Sequence, residues 1–125
     1  MADKNMPEEV ASALAVWQNS QKRYSEVMIA MTRLFERKVI VEKDYEKALI
    51  NYKECLVEKF IGWTDQEDLD RTRTLLDSVS RELNELKLIE SEIKVYFNDW
   101  QKRADSTCNE AQVVNNWRKS QIYIE

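Results

Sequence analysis

The sequence contains no histidine, and its 125 residues include only one glycine, one proline and two cysteines. Without histidine the chain lacks the commonest general base and the commonest ligand for transition metals. It also has no glycine-rich phosphate loop, no Cys-x-x-Cys pair and no nucleophile elbow. Carboxylate pairs such as Asp65/Asp68 and Glu54/Glu58 are better explained as solvated surface than as an acid and a base. We therefore predict a protein that is not an enzyme, with no catalytic residue, cofactor, metal site or small-molecule substrate.

The scarcity of glycine and proline excludes a fold with many tight turns, because left-handed backbone positions and sharp reversals depend on these two residues. Hydrophobic residues make up 43% of the chain and charged residues 34%, which is typical of a globular or coiled-coil domain. The length suits one domain. We expect a single all-α domain over residues 1–125, made of a few long helices.

Several other features of the sequence limit its location and partners. A net charge of −4 provides no overall cationic field, so we expect no nucleic-acid binding. No apolar run approaches the ~18 residues of a membrane-spanning helix, and the N-terminus lacks the layout of a secretory signal. We predict a cytoplasmic location. Cys55 and Cys108 lie far apart within helical patterns, which favours buried, reduced thiols.

Start and stop signals divide the chain into helices. Pro7 and the two glutamates after it indicate a helix start, so we predict a first helix over residues 7–60. Gly62 is suited to ending that helix, and Thr64 with Glu67 has the spacing of a capping box, which predicts a turn over 61–64 and a second helix over 65–104. A second capping-box spacing at Thr107 leaves two alternatives open, an unbroken second helix or a short third helix over 107–124.

Apolar residues recur every seven positions in three adjacent rows along each predicted helix. A two-stranded coiled coil needs only two rows, so the wider stripe favours a long antiparallel hairpin that packs further, as a three- or four-helix bundle or a dimer. Trp117, Ile122, Tyr123 and Ile124 form a further candidate docking edge near the C-terminus. We predict an interaction stripe made of Trp17, Tyr24, Met31, Phe35, Tyr45, Tyr52, Leu83, Leu86, Ile93, Phe97 and Trp100.

Two charged residues interrupt the apolar stripe, Lys38 in the first helix and Glu90 in the second. An antiparallel hairpin that turns near residues 61–64 brings these two positions close together. A buried charge is costly unless it is partnered, so we predict that they form an ion pair that sets the register of the hairpin. The simpler alternative is that both side chains reach out to solvent.

Residues 31–49 contain a short series of charged and aromatic residues, Glu36-Arg37, Glu42, Asp44-Tyr45 and Lys47-Ala48-Leu49. This segment resembles part of the first long helix of F-BAR (FCH) domains. That helix carries a basic, leucine-containing stretch followed by an acidic-acidic-Tyr-Ala-Lys-x-Leu element. Glu46 departs from the pattern because the family often has alanine there, and Val41 stands where isoleucine is common. The resemblance lies within residues 23–60, about a third of the chain.

The resemblance implies a curved antiparallel dimer that binds anionic membranes through basic residues. Arg33, Arg37, Lys43 and Lys47 are the candidate membrane-facing residues, and acidic residues lie between them. Three functions follow as alternatives. The first is a coiled-coil scaffold or adaptor that forms a homodimer or pairs with another coiled-coil subunit. The second is a BAR-like peripheral membrane protein. The third is a small helical-bundle chaperone or regulatory subunit that holds a partner helix.

Overall fold

The chain folds into three α-helices, which confirms the predicted all-α class. A computed structural model describes residues 6–124, with side chains up to Ile122. Helix α1 runs over Glu8–Ile61, α2 over Gln66–Ser106 and α3 over Cys108–Ile124. The carbonyl of Pro7 accepts the first helical hydrogen bond, from the amide of Ala11. Proline is well suited to this position because it has no backbone N–H, and an N–H at the start of a helix would have no partner within the helix.

The helices contribute to two compact units, which are described separately. The hairpin unit is Met31–Glu92, in which the last part of α1 packs against the first part of α2. The terminal unit contains the described residues on either side of that range. It includes the start of α1, the end of α2 and all of α3.

The turn of the hairpin unit ends α1 and starts α2 with backbone-directed hydrogen bonds. Gly62 has φ +95°. The amides of Gly62 and Trp63 donate to the carbonyls of Lys59 and Glu58, which satisfies two carbonyls at the helix end in a Schellman motif. The predicted cap is wrong by one residue, because the carboxylate of Asp65, and not Thr64, accepts the amide of Asp68 at 2.9 Å.

The two helices of the hairpin unit meet along a first seam, defined on α1 as two rows of residues with heptad spacing. One row has Lys38, Tyr45 and Tyr52, and the other has Leu34, Val41, Ala48 and Cys55. Val41 is the best buried of these, with 1% of its surface exposed. On α2 the facing rows are Leu69, Leu76, Leu83 and Glu90, and Thr72, Val79 and Leu86.

The terminal unit continues the same heptad spacing. Tyr24 and Phe97 place their ring centroids 5.5 Å apart, and Val114 is fully buried. A single residue, Thr107, separates α2 from α3. Its hydroxyl donates to the carbonyl of Ala104 at 2.6 Å, so it bonds back to α2 and does not form the predicted capping box of α3. The expected burial of both cysteines is wrong for Cys108, because that thiol is exposed while Cys55 is buried.

Candidate interaction surfaces

The structure places ten of the eleven predicted stripe residues in the buried or half-buried rows between helices. Within the hairpin unit these are Met31, Tyr45, Tyr52, Leu83 and Leu86, and within the terminal unit Trp17, Tyr24, Ile93, Phe97 and Trp100. Phe35 differs, because 67% of its surface is exposed. It lies one position beyond the first-seam residue Leu34, so it faces away from α2. Most of the stripe therefore holds the chain's own helices together.

Lys38 and Glu90 meet across the first seam of the hairpin unit. The Lys38 ammonium donates a hydrogen bond to Glu90 Oε2 at 2.8 Å, and both side chains are largely covered, with 22% and 33% exposed. This hydrogen bond raises the pKa of Lys38 above its usual range. Desolvation opposes the rise, while the charges of Glu90 and then Glu42 add to it. The contact is present, and its role in setting the register remains a prediction.

The four candidate membrane-facing cations all belong to the hairpin unit but do not form a free basic patch. Arg37 is committed to Glu82 of α2, whose Oε1 accepts its Nε at 2.9 Å and its Nη2 at 2.5 Å. Arg33, Lys43 and Lys47 are exposed, and so are the acidic residues between them, Glu36, Glu42, Asp44 and Glu46. The result is a surface of mixed charge.

The third apolar row predicted on each helix lies outside the first seam and is partly exposed. On α1 of the hairpin unit, Phe35 is 67% and Leu56 41% exposed; on α2, Leu75 is 54% and Ile89 48% exposed. Tyr96, which follows in the same α2 row within the terminal unit, is 59% exposed. A helix that packs against one neighbour buries only two rows, which is the physical reason for this exposure.

The end of the hairpin unit exposes further large apolar side chains that the predicted stripe did not include. Phe60 is 95% exposed, Trp63 76% and Val57 59%. A seven-residue search from Val10 does not reach these positions. Phe60 lies four residues after Leu56, which lies three residues after Lys53. This alternation of four and three residues continues back to Phe35, and it is the sequence signal for Phe60.

That spacing defines a second seam on α1, separate from the first. Its positions alternate by four and three residues and all lie in the hairpin unit: Phe35, Val39, Glu42, Glu46, Leu49, Lys53, Leu56 and Phe60. Five of the eight positions are apolar, and this alternation is the spacing of the two rows in a coiled-coil contact. At 3.6 residues per turn the second seam lies about 100° around α1 from the first. A helix in a bundle contacts two neighbours at a similar angle.

Other kinds of site find little support among residues 6–124. No cluster of three or more cysteine, aspartate or glutamate side chains in this range is arranged to hold a metal ion. None of its helices combines the length and apolar character needed to cross a bilayer. In the hairpin unit, an open groove of about 330 Å³ lies beside Ala48, with Leu75 and Val79 on its other wall. Such a groove can receive an apolar side chain from a partner helix.

The predicted C-terminal docking edge is only partly described. Ile122 is 72% exposed and Trp117 is half-buried. The side chains of Tyr123 and Ile124 lie outside the described residues.

Comparison of the chain with protein-family models, with curated proteins and with solved structures finds no match. The F-BAR resemblance of residues 31–49 therefore stays a prediction from the sequence.

Proposed function

We propose that this chain is a non-enzymatic helical scaffold or adaptor subunit that works by helix–helix association. The observation that carries the proposal is a set of exposed apolar side chains beside the first seam of the hairpin unit, one row on each helix. Phe35 and Leu56 on α1, and Leu75 and Ile89 on α2, are each 41–67% exposed. Large apolar side chains aligned on a helix are typical of a surface that is covered by a partner.

The composition of the chain also supports a binding role. The chain has no histidine, and the described residues include no candidate metal cluster. The exposed polar surface of the hairpin unit is a mixture of acids and bases, which can contribute to the choice of partner. Binding through apolar rows with charges at defined positions is how coiled-coil proteins choose their partners.

The test is the mass of the purified full chain in solution, measured by sedimentation equilibrium from low to high micromolar concentration. We expect a mass above 14.9 kDa that approaches a defined oligomer as the concentration rises, because apolar burial drives association. A chain that stays monomeric at every concentration and unfolds cooperatively would contradict self-assembly. In that case, binding of an added amphipathic helix would support the chaperone or regulatory-subunit alternative.

The BAR-like alternative is tested separately by co-sedimentation with anionic vesicles at low and high salt. We expect the chain to remain in the supernatant, because Glu82 neutralises Arg37 and acidic residues surround the other three cations. Salt-sensitive vesicle binding that Arg33→Glu and Lys43→Glu abolish would instead support a peripheral membrane protein.

A further inference from the structure

We infer that the second seam of α1 binds the second seam of another copy of this chain, in antiparallel orientation. The inference rests on the proposed function and names its partner. All eight second-seam positions lie within the hairpin unit and on one continuous helix. The contact therefore depends on no arrangement between the two units.

The apolar ends of the second seam are exposed in the single chain. Phe35 is 67% exposed near one end and Phe60 95% exposed at the other, while Leu56 is 41% exposed. Val39 and Leu49 are half-buried. Phe60 makes little contact within its own chain, so its ring is available for burial against another molecule.

The polar positions of the second seam decide the orientation of the partner. Glu42, Glu46 and Lys53 occupy its middle, between the apolar ends. In a parallel dimer each of these would face its own copy, which places like charges opposite one another at three levels. An antiparallel arrangement avoids this, because it pairs positions from opposite ends of the seam.

One antiparallel register gives six of the eight positions a complementary partner. With the two-fold axis between Lys47 and Ala48, each copy of Phe35 lies opposite Phe60, and each Val39 opposite Leu56. Glu42 then lies opposite Lys53 of the second copy, and symmetry repeats this ion pair once more. The mismatch is Glu46 opposite Leu49, which occurs at the two central levels.

Neighbouring antiparallel registers place charged residues opposite like charges or apolar residues. A shift of seven residues in one direction places Glu42 opposite Glu46, and the opposite shift places Glu42 against Phe60. Charges in the middle of an apolar seam fix register in this way, because a wrong register leaves like or unpaired charges in contact.

The charges of the pair are available for an intermolecular contact. Lys53 is exposed and takes part in no hydrogen bond or ion pair within the described part of the chain. The Glu42 side chain is 47% exposed, and its nearest cation, Lys38, lies 3.8 Å away. Lys38 is held more closely by Glu90, at 2.8 Å. A cation from the second copy can therefore approach Glu42 from the side away from α2.

Charge reversal tests the register directly in the full chain. Glu42→Lys and Lys53→Glu each place two pairs of like charges opposite one another in the dimer. We expect each to raise the dimer dissociation constant by about tenfold or more, as measured by sedimentation equilibrium at low salt. The double variant Glu42→Lys/Lys53→Glu restores opposite charges, and we expect its dissociation constant to return close to that of the wild type.

Matched controls carry the same changes of charge outside both seams. Glu54→Lys and Lys47→Glu lie on α1 about 130° from the centre of each seam, so we expect near-wild-type dimerisation from both. Phe60→Ala tests the apolar end in the same way, with Ile61→Ala as its control. Circular dichroism checks that every variant keeps its helical content.

The outcomes separate this inference from the proposed function. Weakening by the two single reversals, with recovery in the double variant, supports the antiparallel register. A chain that associates but responds equally to Glu42→Lys and Glu54→Lys overturns the inference while leaving helix–helix association in place. A chain that stays monomeric at high concentration overturns both self-association and the register.

Discussion

Replacement of Val41 by alanine should weaken the hairpin unit by an amount that its burial allows us to estimate. Val41 is 1% exposed in the first seam. Removing two methyl-sized groups from it loses about 1.6 kcal/mol of transfer free energy, at about 0.8 kcal/mol per group. A cavity that does not collapse adds up to about 1 kcal/mol. The better helix propensity of alanine offsets about 0.5 kcal/mol.

We therefore expect Val41→Ala to lower the free energy of unfolding by about 1–2 kcal/mol. The matched control is Ile40→Ala, one residue earlier on the same helix, where the side chain is 51% exposed and outside both seams. Its expected effect is within about 0.5 kcal/mol. Both changes introduce alanine, so the difference between them isolates packing across the first seam.

Urea unfolding followed by circular dichroism provides the measurement, with the shift in midpoint converted through the common slope. All proteins are compared at one concentration, because association would stabilise each of them by mass action. Equal destabilisation by the two variants, or a larger effect at Ile40, would show that α1 presents a different face to α2 and would refute the first seam as described.

Two further predictions concern the start of α2 and the charged contact in the first seam. Asp65→Ala should lower the free energy of unfolding by about 1 kcal/mol because the amide of Asp68 loses its cap. Asp65→Asn keeps a side-chain acceptor and is the control. Melting temperatures that are no lower for the alanine variant than for the asparagine variant would contradict this role. The pKa of Lys38 is raised in the folded chain. The stability from its contact with Glu90 is therefore fully present below the unfolded-state pKa of about 10.4. It is lost as the pH rises through the folded-state pKa. Urea midpoints measured from neutral to strongly alkaline pH should therefore fall more for the wild type than for Lys38→Met, and parallel curves would argue against the linkage.

The sequence was sufficient for the fold class and for the approximate position of the turn. With one glycine and one proline the chain can make few reversals, and Gly62 supplies the positive φ at the end of α1. Heptad spacing placed most of the stripe correctly, because every seventh residue returns to nearly the same side of a helix. It also suggested Lys38 and Glu90 as neighbours, because the turn position fixes which residues face each other in a hairpin.

Details at the helix ends could not be read from the sequence. Thr64 and Asp65 are both good N-cap residues, and only the backbone path shows that Asp65 reaches the amide of Asp68. Thr107 has the same ambiguity. It lies between α2 and α3 in the sequence, and its hydroxyl donates to the carbonyl of Ala104 at the end of α2.

The sequence by itself determined that each long helix carries three apolar rows, because row spacing is a property of helix geometry alone. Only the tertiary structure decided which two rows face the chain's own second helix and which remain exposed. That choice depends on how α1 is rotated about its axis, which long-range packing sets and local periodicity does not. It left Phe35 and Phe60 exposed beside Glu42 and Lys53, and those four residues form the basis of the proposed contact with a second copy.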